Sequence, residues 1–126
     1  MTEIDAPQKP LLRDQRRALH AYEAVGNVPK EQQKDYEIAV NDLGANILRS
    51  GLCAAIAAVQ RLGKRGDLLL GHLAAAGLPG LEDAGSTDLA RRVRGLDADA
   101  YIIATREMLQ VAVWLKRAVQ ATFGED

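Results

Sequence analysis

The stretch YIIATREMLQVAVWLKRAV, residues 101–119, constrains the fold of this chain more than any other. At about 100° per residue, Tyr101, Ala104, Met108, Val111, Ala112, Leu115 and Val119 fall on one broad apolar face. Ile102, Ile103, Leu109, Val113 and Trp114 widen it, leaving a narrow polar stripe of Arg106, Gln110 and Arg117. A helix apolar over most of its circumference needs cover, which makes it the central helix of a bundle. Trp114 suits either that core or a contact with another subunit, because tryptophan is at home in both. Charged residues at 106, 107, 116 and 117 interrupt the run too often for a membrane span.

The rest of the chain supplies the cover. Residues 11–25, LLRDQRRALHAYEAV, have helical spacing, with Leu11, Ala18, Tyr22 and Val25 on one side. GNVPK (26–30) is a turn, since glycine ends one helix and Pro29 suits the start of the next. Helical spacing resumes over 31–50 through Tyr36, Ala39, Val40, Leu43 and Ile47, then over 52–62 beyond Gly51. A short helix is expected from Asp67 to Ala76, with Asp67 as cap or first-turn acid. After the loop 78–86, Ser86 is placed to cap a short run ending at Gly95. The last helix covers 97–123, with Asp97 and Asp99 at its start and Lys116 and Arg117 near its end, as the helix dipole favours. No segment alternates apolar and polar residues as a strand would. The expected fold is all-α: a compact single-domain bundle of about five or six helices with a long C-terminal helix. Residues 1–10 form a flexible lead-in punctuated by Pro7 and Pro10, and 11–126 the helical domain.

Composition narrows the function. The net charge is −1, so no bulk attraction to nucleic acid or to a membrane surface is expected. A single cysteine excludes an internal disulfide, and the N-terminus has no basic-then-apolar signal pattern, so a cytoplasmic protein is expected. His20 and His72 have no cysteine or carboxylate at ligand spacing, so neither a metal site nor a cofactor is expected. GKRG (63–66) lacks the glycine–lysine–serine order of a phosphate loop. Cys53 lies among small apolar residues with no neighbouring base and reads as a buried hydrophobe. Glu107 reads as a local ion pair with Arg106 or a solvated charge. No catalytic constellation emerges; an enzyme reading would rest on scattered Asp, Glu and His alone.

What stands out is charge on particular faces. Arg13, Arg16, Arg17 and His20 recur at i, i+3, i+4 and i+7, so they share one helix face, read as lying opposite Leu11, Ala18 and Tyr22. Lys64 and Arg65, then Arg91, Arg92 and Arg94, then Lys116 and Arg117, form further clusters. Guanidinium groups so placed bind phosphates through charge and paired hydrogen bonds, although ordinary solvated faces carry similar patterns.

Tyr101, Thr105, Glu107, Leu109, Trp114, Leu115, Lys116 and Arg117 give the last helix a further meaning. In identity and spacing they resemble the C-terminal signature of the small α-helical subunit of the Cmr complex, the type III-B CRISPR effector. Gln15, Ala18 and Tyr22 resemble its first helix, and Arg49, Gly51 and Leu52 its middle segment. Family members often carry an aromatic where Ala58 or Val59 stands here. The resemblance implies a non-catalytic subunit that stacks with its own copies into a minor filament. It implies the other Cmr subunits as partners, and a guide RNA–target RNA duplex held beside that filament during antiviral defence. Two alternatives stay open: the small subunit of a type III-A complex, and another helical adaptor that contacts protein alone.

Overall fold

The computed structural model describes residues 10–123, so the expected lead-in lies, apart from Pro10, outside the described residues. Six helices follow one another: α1 (Arg13–Gly26), α2 (Gln33–Ser50), α3 (Leu52–Arg61), α4 (Lys64–Ala74), α5 (Leu89–Arg94) and α6 (Ala98–Thr122). A 3-10 turn, Lys30–Gln32, leads into α2, and no strand occurs among the described residues. The all-α bundle with a long last helix is therefore the fold.

α6 is its centre. It packs against α1 and α2, while α2 also holds α3 and α4, and α3 holds α4 and α5. Ala104, Met108, Val111, Ala112, Leu115, Ala118 and Val119 are buried along it, in one continuous core with Tyr36, Leu43, Ile47, Leu52 and Ile56. Ile102, Ile103 and Val113, which widen the apolar face, remain exposed. Asp97 caps the helix: its Oδ1 accepts from the Ala100 N–H at 2.9 Å, as the acidic start implied.

Two segments that carry the family resemblance meet in space. Gly51 ends α2 and opens α3 at φ +94°, a left-handed conformation that suits glycine. The Tyr101 hydroxyl of α6 accepts from the Cys53 N–H at 2.9 Å, satisfying one of the unpaired donors in the first turn of α3. Cys53 is half-buried rather than fully enclosed. Ala58 and Val59 line a groove of about 140 Å³ between α2 and α3.

The boundaries of the shorter helices differ from the sequence reading. α4 begins at Lys64, not Asp67, because Gly63 makes the turn and Gly66 continues the helix. Gly66 is not a breaker there: a Cβ on it would run into the Val59 carbonyl. Asp67 lies in the first turn, where its charge suits the dipole. α5 starts after Asp88 rather than Ser86, and Asp88 accepts from the Gly85 N–H at 2.6 Å.

α1 overturns an expectation. Its inward line is Arg17, Ala21, Ala24 and Val25, whereas Leu11, Leu19 and Tyr22 are 43%, 52% and 43% exposed. The side read as solvated therefore contributes a buried arginine, and part of the side read as apolar faces outward. The cause is a buried carboxylate on α6, far away in sequence.

Candidate nucleic-acid interface

Arg17 is the most enclosed of the basic side chains among the described residues. Its Nη2 donates to Glu107 Oε1 at 3.1 Å and its Nη1 to the Ala76 carbonyl at 3.0 Å. Glu107 Oε2 accepts from Arg13 Nη1 at 3.0 Å. Glu107 is thus neither a local partner of Arg106 nor a solvated charge; one carboxylate ties two turns of α1 to the middle of α6. The sequence holds a signal for this. Glu107 falls between Ala104 and Val111 on the buried line of α6, the one carboxylate on that line. Arg17 Nε is the only buried side-chain polar atom without a partner among the described residues.

His20, the fourth member of the α1 stripe, points at α4 instead of solvent. Its Nε2 donates to the His72 carbonyl at 2.9 Å. The Tyr36 hydroxyl lies 2.7 Å from His72 Nδ1. Burial, and secondarily the neighbouring charge of His20, lowers the pKa of His72, while burial raises that of Tyr36. A neutral His72 with Nδ1 accepting from an intact phenol fits both shifts. Of the α1 stripe, only Arg13 and Arg16 present exposed guanidinium groups, and Arg16 donates to the Leu11 carbonyl at 2.9 Å.

The remaining clusters are not equivalent. Arg92 is bound to Asp83 across the loop before α5 and lies 3.7 Å from Asp88, which also meets Arg91 at 3.4 Å. The hydrogen bond from Arg92 holds the Asp83 carboxyl below its usual range. By contrast, Lys64, Arg65, Arg94, Lys116 and Arg117 are exposed and form no ion pair among the described residues. Arg117 folds over Trp114, with its guanidinium carbon 4.8 Å from the ring centroid. Trp114 itself is half-buried and packs on the edge of the core, so it is neither fully core nor fully surface.

Beside the Arg13–Glu107 pair a cleft of about 600 Å³ opens between α1 and α6. Arg106, Gln110 and Trp114 line it from successive turns of α6 together with Leu109, and Arg13, Asp14 and Arg17 line it from α1. Among the described residues no group of three or more His, Cys, Asp or Glu could hold a metal ion, and no helix is long and apolar enough to cross a membrane.

Comparison with known proteins gives the class of the chain. The family model described as CRISPR-associated protein (Cas_Cmr5) matches residues 13–122. The chain belongs to that family, as its last helix implied. Its structure is similar to the X-ray crystal structure of a CRISPR-associated Cmr5 family protein from Thermus thermophilus. The two share 30% sequence identity and a TM-score of 0.80, over 90% of this chain and 100% of the other. No curated protein matches the chain.

Proposed function

We propose that this chain is the small, non-catalytic subunit of a type III-B CRISPR effector in the cytoplasm. Its copies stack beside the guide RNA–target RNA duplex, and its exposed basic groups steady the duplex backbone. The observation that carries the reading is the family match along residues 13–122. The distribution of charge supports it. Lys64 and Arg65 at the start of α4, Arg94 on α5, and Lys116 and Arg117 on α6 remain available for phosphates, as do Arg13 and Arg16 in part. Arg17 and His20 leave the set, since their polar atoms already serve the bundle. Arg91 and Arg92 are secondary, being paired with Asp83 and Asp88.

The test uses the reconstituted complex. Replacing Lys64, Arg65, Lys116 and Arg117 with Glu should leave assembly intact and weaken target-RNA binding. The slope of log affinity against log salt should become shallower by about 0.7–0.9 for each phosphate no longer neutralised. A folded variant that assembles and shows an unchanged slope would remove these residues from the interface. A second reading, a protein-only adaptor, is favoured by the apolar ridge of Ala18, Leu19 and Tyr22 on α1 with Leu11 just before it, which borders an open hollow of about 510 Å³. Loss of assembly on Leu19→Glu, with salt slopes insensitive to every basic variant, would support it.

A further inference from the structure

The cleft between α1 and α6 combines three chemistries that a solvated charge cluster does not. Trp114 supplies an aromatic ring, Gln110 an amide with both donor and acceptor, and Arg13 and Arg106 exposed guanidinium groups. Its three arginines and two carboxylates leave one positive charge in a chain whose net charge is −1. Arg13 and Arg17 both pair with Glu107, so its carboxylate is occupied by arginine and does not face an incoming anion alone. About 600 Å³ lies within the range of small-ligand sites. Arg106, Gln110 and Trp114 repeat at i, i+4 and i+8, giving charge, amide and ring in one line along α6.

From this juxtaposition we infer that the cleft takes one unpaired nucleotide of single-stranded RNA, its base against Trp114, its edge on Gln110 and its phosphate on Arg13 and Arg106. The inference rests on the RNA-contacting reading above and goes beyond it, because a duplex backbone offers no free base. Base stacking on an aromatic side chain tolerates any sequence, while an amide adds a modest preference. Arg117 is not among the residues lining the cleft. Its guanidinium lies over the indole and, being exposed, can swing away to leave the ring to a base.

Trp114 is the chain's single tryptophan, so all tryptophan emission comes from a residue lining this cleft. The full chain is titrated with labelled RNA hexamers up to the millimolar range. Anisotropy follows binding and tryptophan emission follows stacking. Oligouridylate and oligoadenylate should both bind and quench. An abasic ribose-phosphate hexamer of equal charge should bind roughly 5- to 100-fold more weakly, as expected when one stacked base is missing, and should not quench. Arg106→Glu should weaken binding of both kinds of hexamer. Gln110→Ala should alter the ratio of adenylate to uridylate affinity, and Trp114→Phe should retain most of the affinity, with circular dichroism verifying that each variant is folded. RNA binding with unchanged emission and equal affinity for the abasic hexamer would overturn the inference while leaving backbone contact elsewhere intact. Absence of binding by every hexamer would overturn it together with direct RNA contact by this chain. A change of emission on adding the other Cmr subunits without RNA, with quenching by RNA then abolished, would assign the cleft to a protein partner and overturn it as well.

Discussion

A single carboxylate, Glu107 on α6, holds two arginines of α1, with Arg17 Nη2 at 3.1 Å and Arg13 Nη1 at 3.0 Å. The two contacts are not alike. The Arg17 side chain is 9% exposed and also donates to the Ala76 carbonyl, whereas that of Arg13 is 68% exposed. The first joins α1, α6 and the segment after α4; the second is a surface pair resting on it.

Glu107→Ala should therefore destabilise the fold by about 3–5 kcal/mol, because it leaves the Arg17 guanidinium buried without its counter-charge. Arg13→Ala should cost about 0–1 kcal/mol. Urea unfolding midpoints of the two variants measure the difference. A double change to apolar residues, Arg17→Met with Glu107→Leu, should cost less than the two single changes added together, since neither charge is then left alone. Equal midpoints for wild type and Glu107→Ala would show that the pair contributes nothing to stability.

His72 makes stability depend on pH in one direction. Burial lowers its folded pKa below the unfolded value near 6.5, so the unfolded chain takes up the proton first as pH falls. The contribution is complete above about pH 6.5 and is lost as pH drops from there through the lowered folded value. Charging His72 also costs the acceptor for the Tyr36 hydroxyl and sets a positive charge beside His20. Wild-type denaturation midpoints should fall as pH drops below about 6.5. His72→Asn, whose amide oxygen can accept from Tyr36 but cannot titrate, should flatten that fall. An equal decline in both proteins would place the titrating group elsewhere.

The parts of this fold that could be read in the sequence are those whose pattern is local. α6 and α2 carry long 3.6-residue periods, and their inward lines, such as Ala104–Met108–Val111–Leu115, are the ones the periodicity marks. α1 could not be oriented the same way. Its small inward residues, Ala21 and Ala24, give a weak signal, and its larger apolar ones, Leu19 and Tyr22, lie outside. An arginine on the inner line looks solvated until its partner is known, and Glu107 lies 90 residues away. The cleft was equally hidden: Arg106, Gln110 and Arg117 were legible as a polar stripe, but only the packing of α1 turns part of that stripe into one wall of a cavity.

Two glycines of α4 should respond in opposite senses to alanine. At Gly66 a Cβ would strike the Val59 carbonyl and come within 3.2 Å of the Leu62 and Val59 side chains, so α3 and α4 would have to part. Gly66→Ala should cost about 1–3 kcal/mol. Gly71 is also within α4, but a Cβ there meets nothing within 4 Å. Gly71→Ala should raise stability by about 0.5–1 kcal/mol through the entropy of the unfolded chain. Thermal unfolding of both variants supplies the check; a stable Gly66→Ala would mean that α3 and α4 pack less closely than this geometry requires.

Trp114 and Leu115 are neighbours on α6 with different surroundings, and truncating each separates core from edge. Leu115 is fully buried in the core, while Trp114 is half-buried and shares its ring with the exposed Arg117. Leu115→Ala should cost about 2–5 kcal/mol through the transfer energy of the missing atoms and the cavity left behind. Trp114→Ala gives up only part of a large side chain's burial and opens onto solvent, so it should cost about 1–3 kcal/mol, less than the roughly 3–5 kcal/mol of a tryptophan enclosed in a core. Arg117→Ala removes the cation–π contact alone and should cost at most about 1 kcal/mol. The fall in denaturant midpoint should therefore be at least as large for Leu115→Ala as for Trp114→Ala, with Arg117→Ala mildest. A Trp114→Ala loss clearly exceeding that of Leu115→Ala would mean that the indole is enclosed by the bundle, leaving no free wall for a ligand in the cleft beside it.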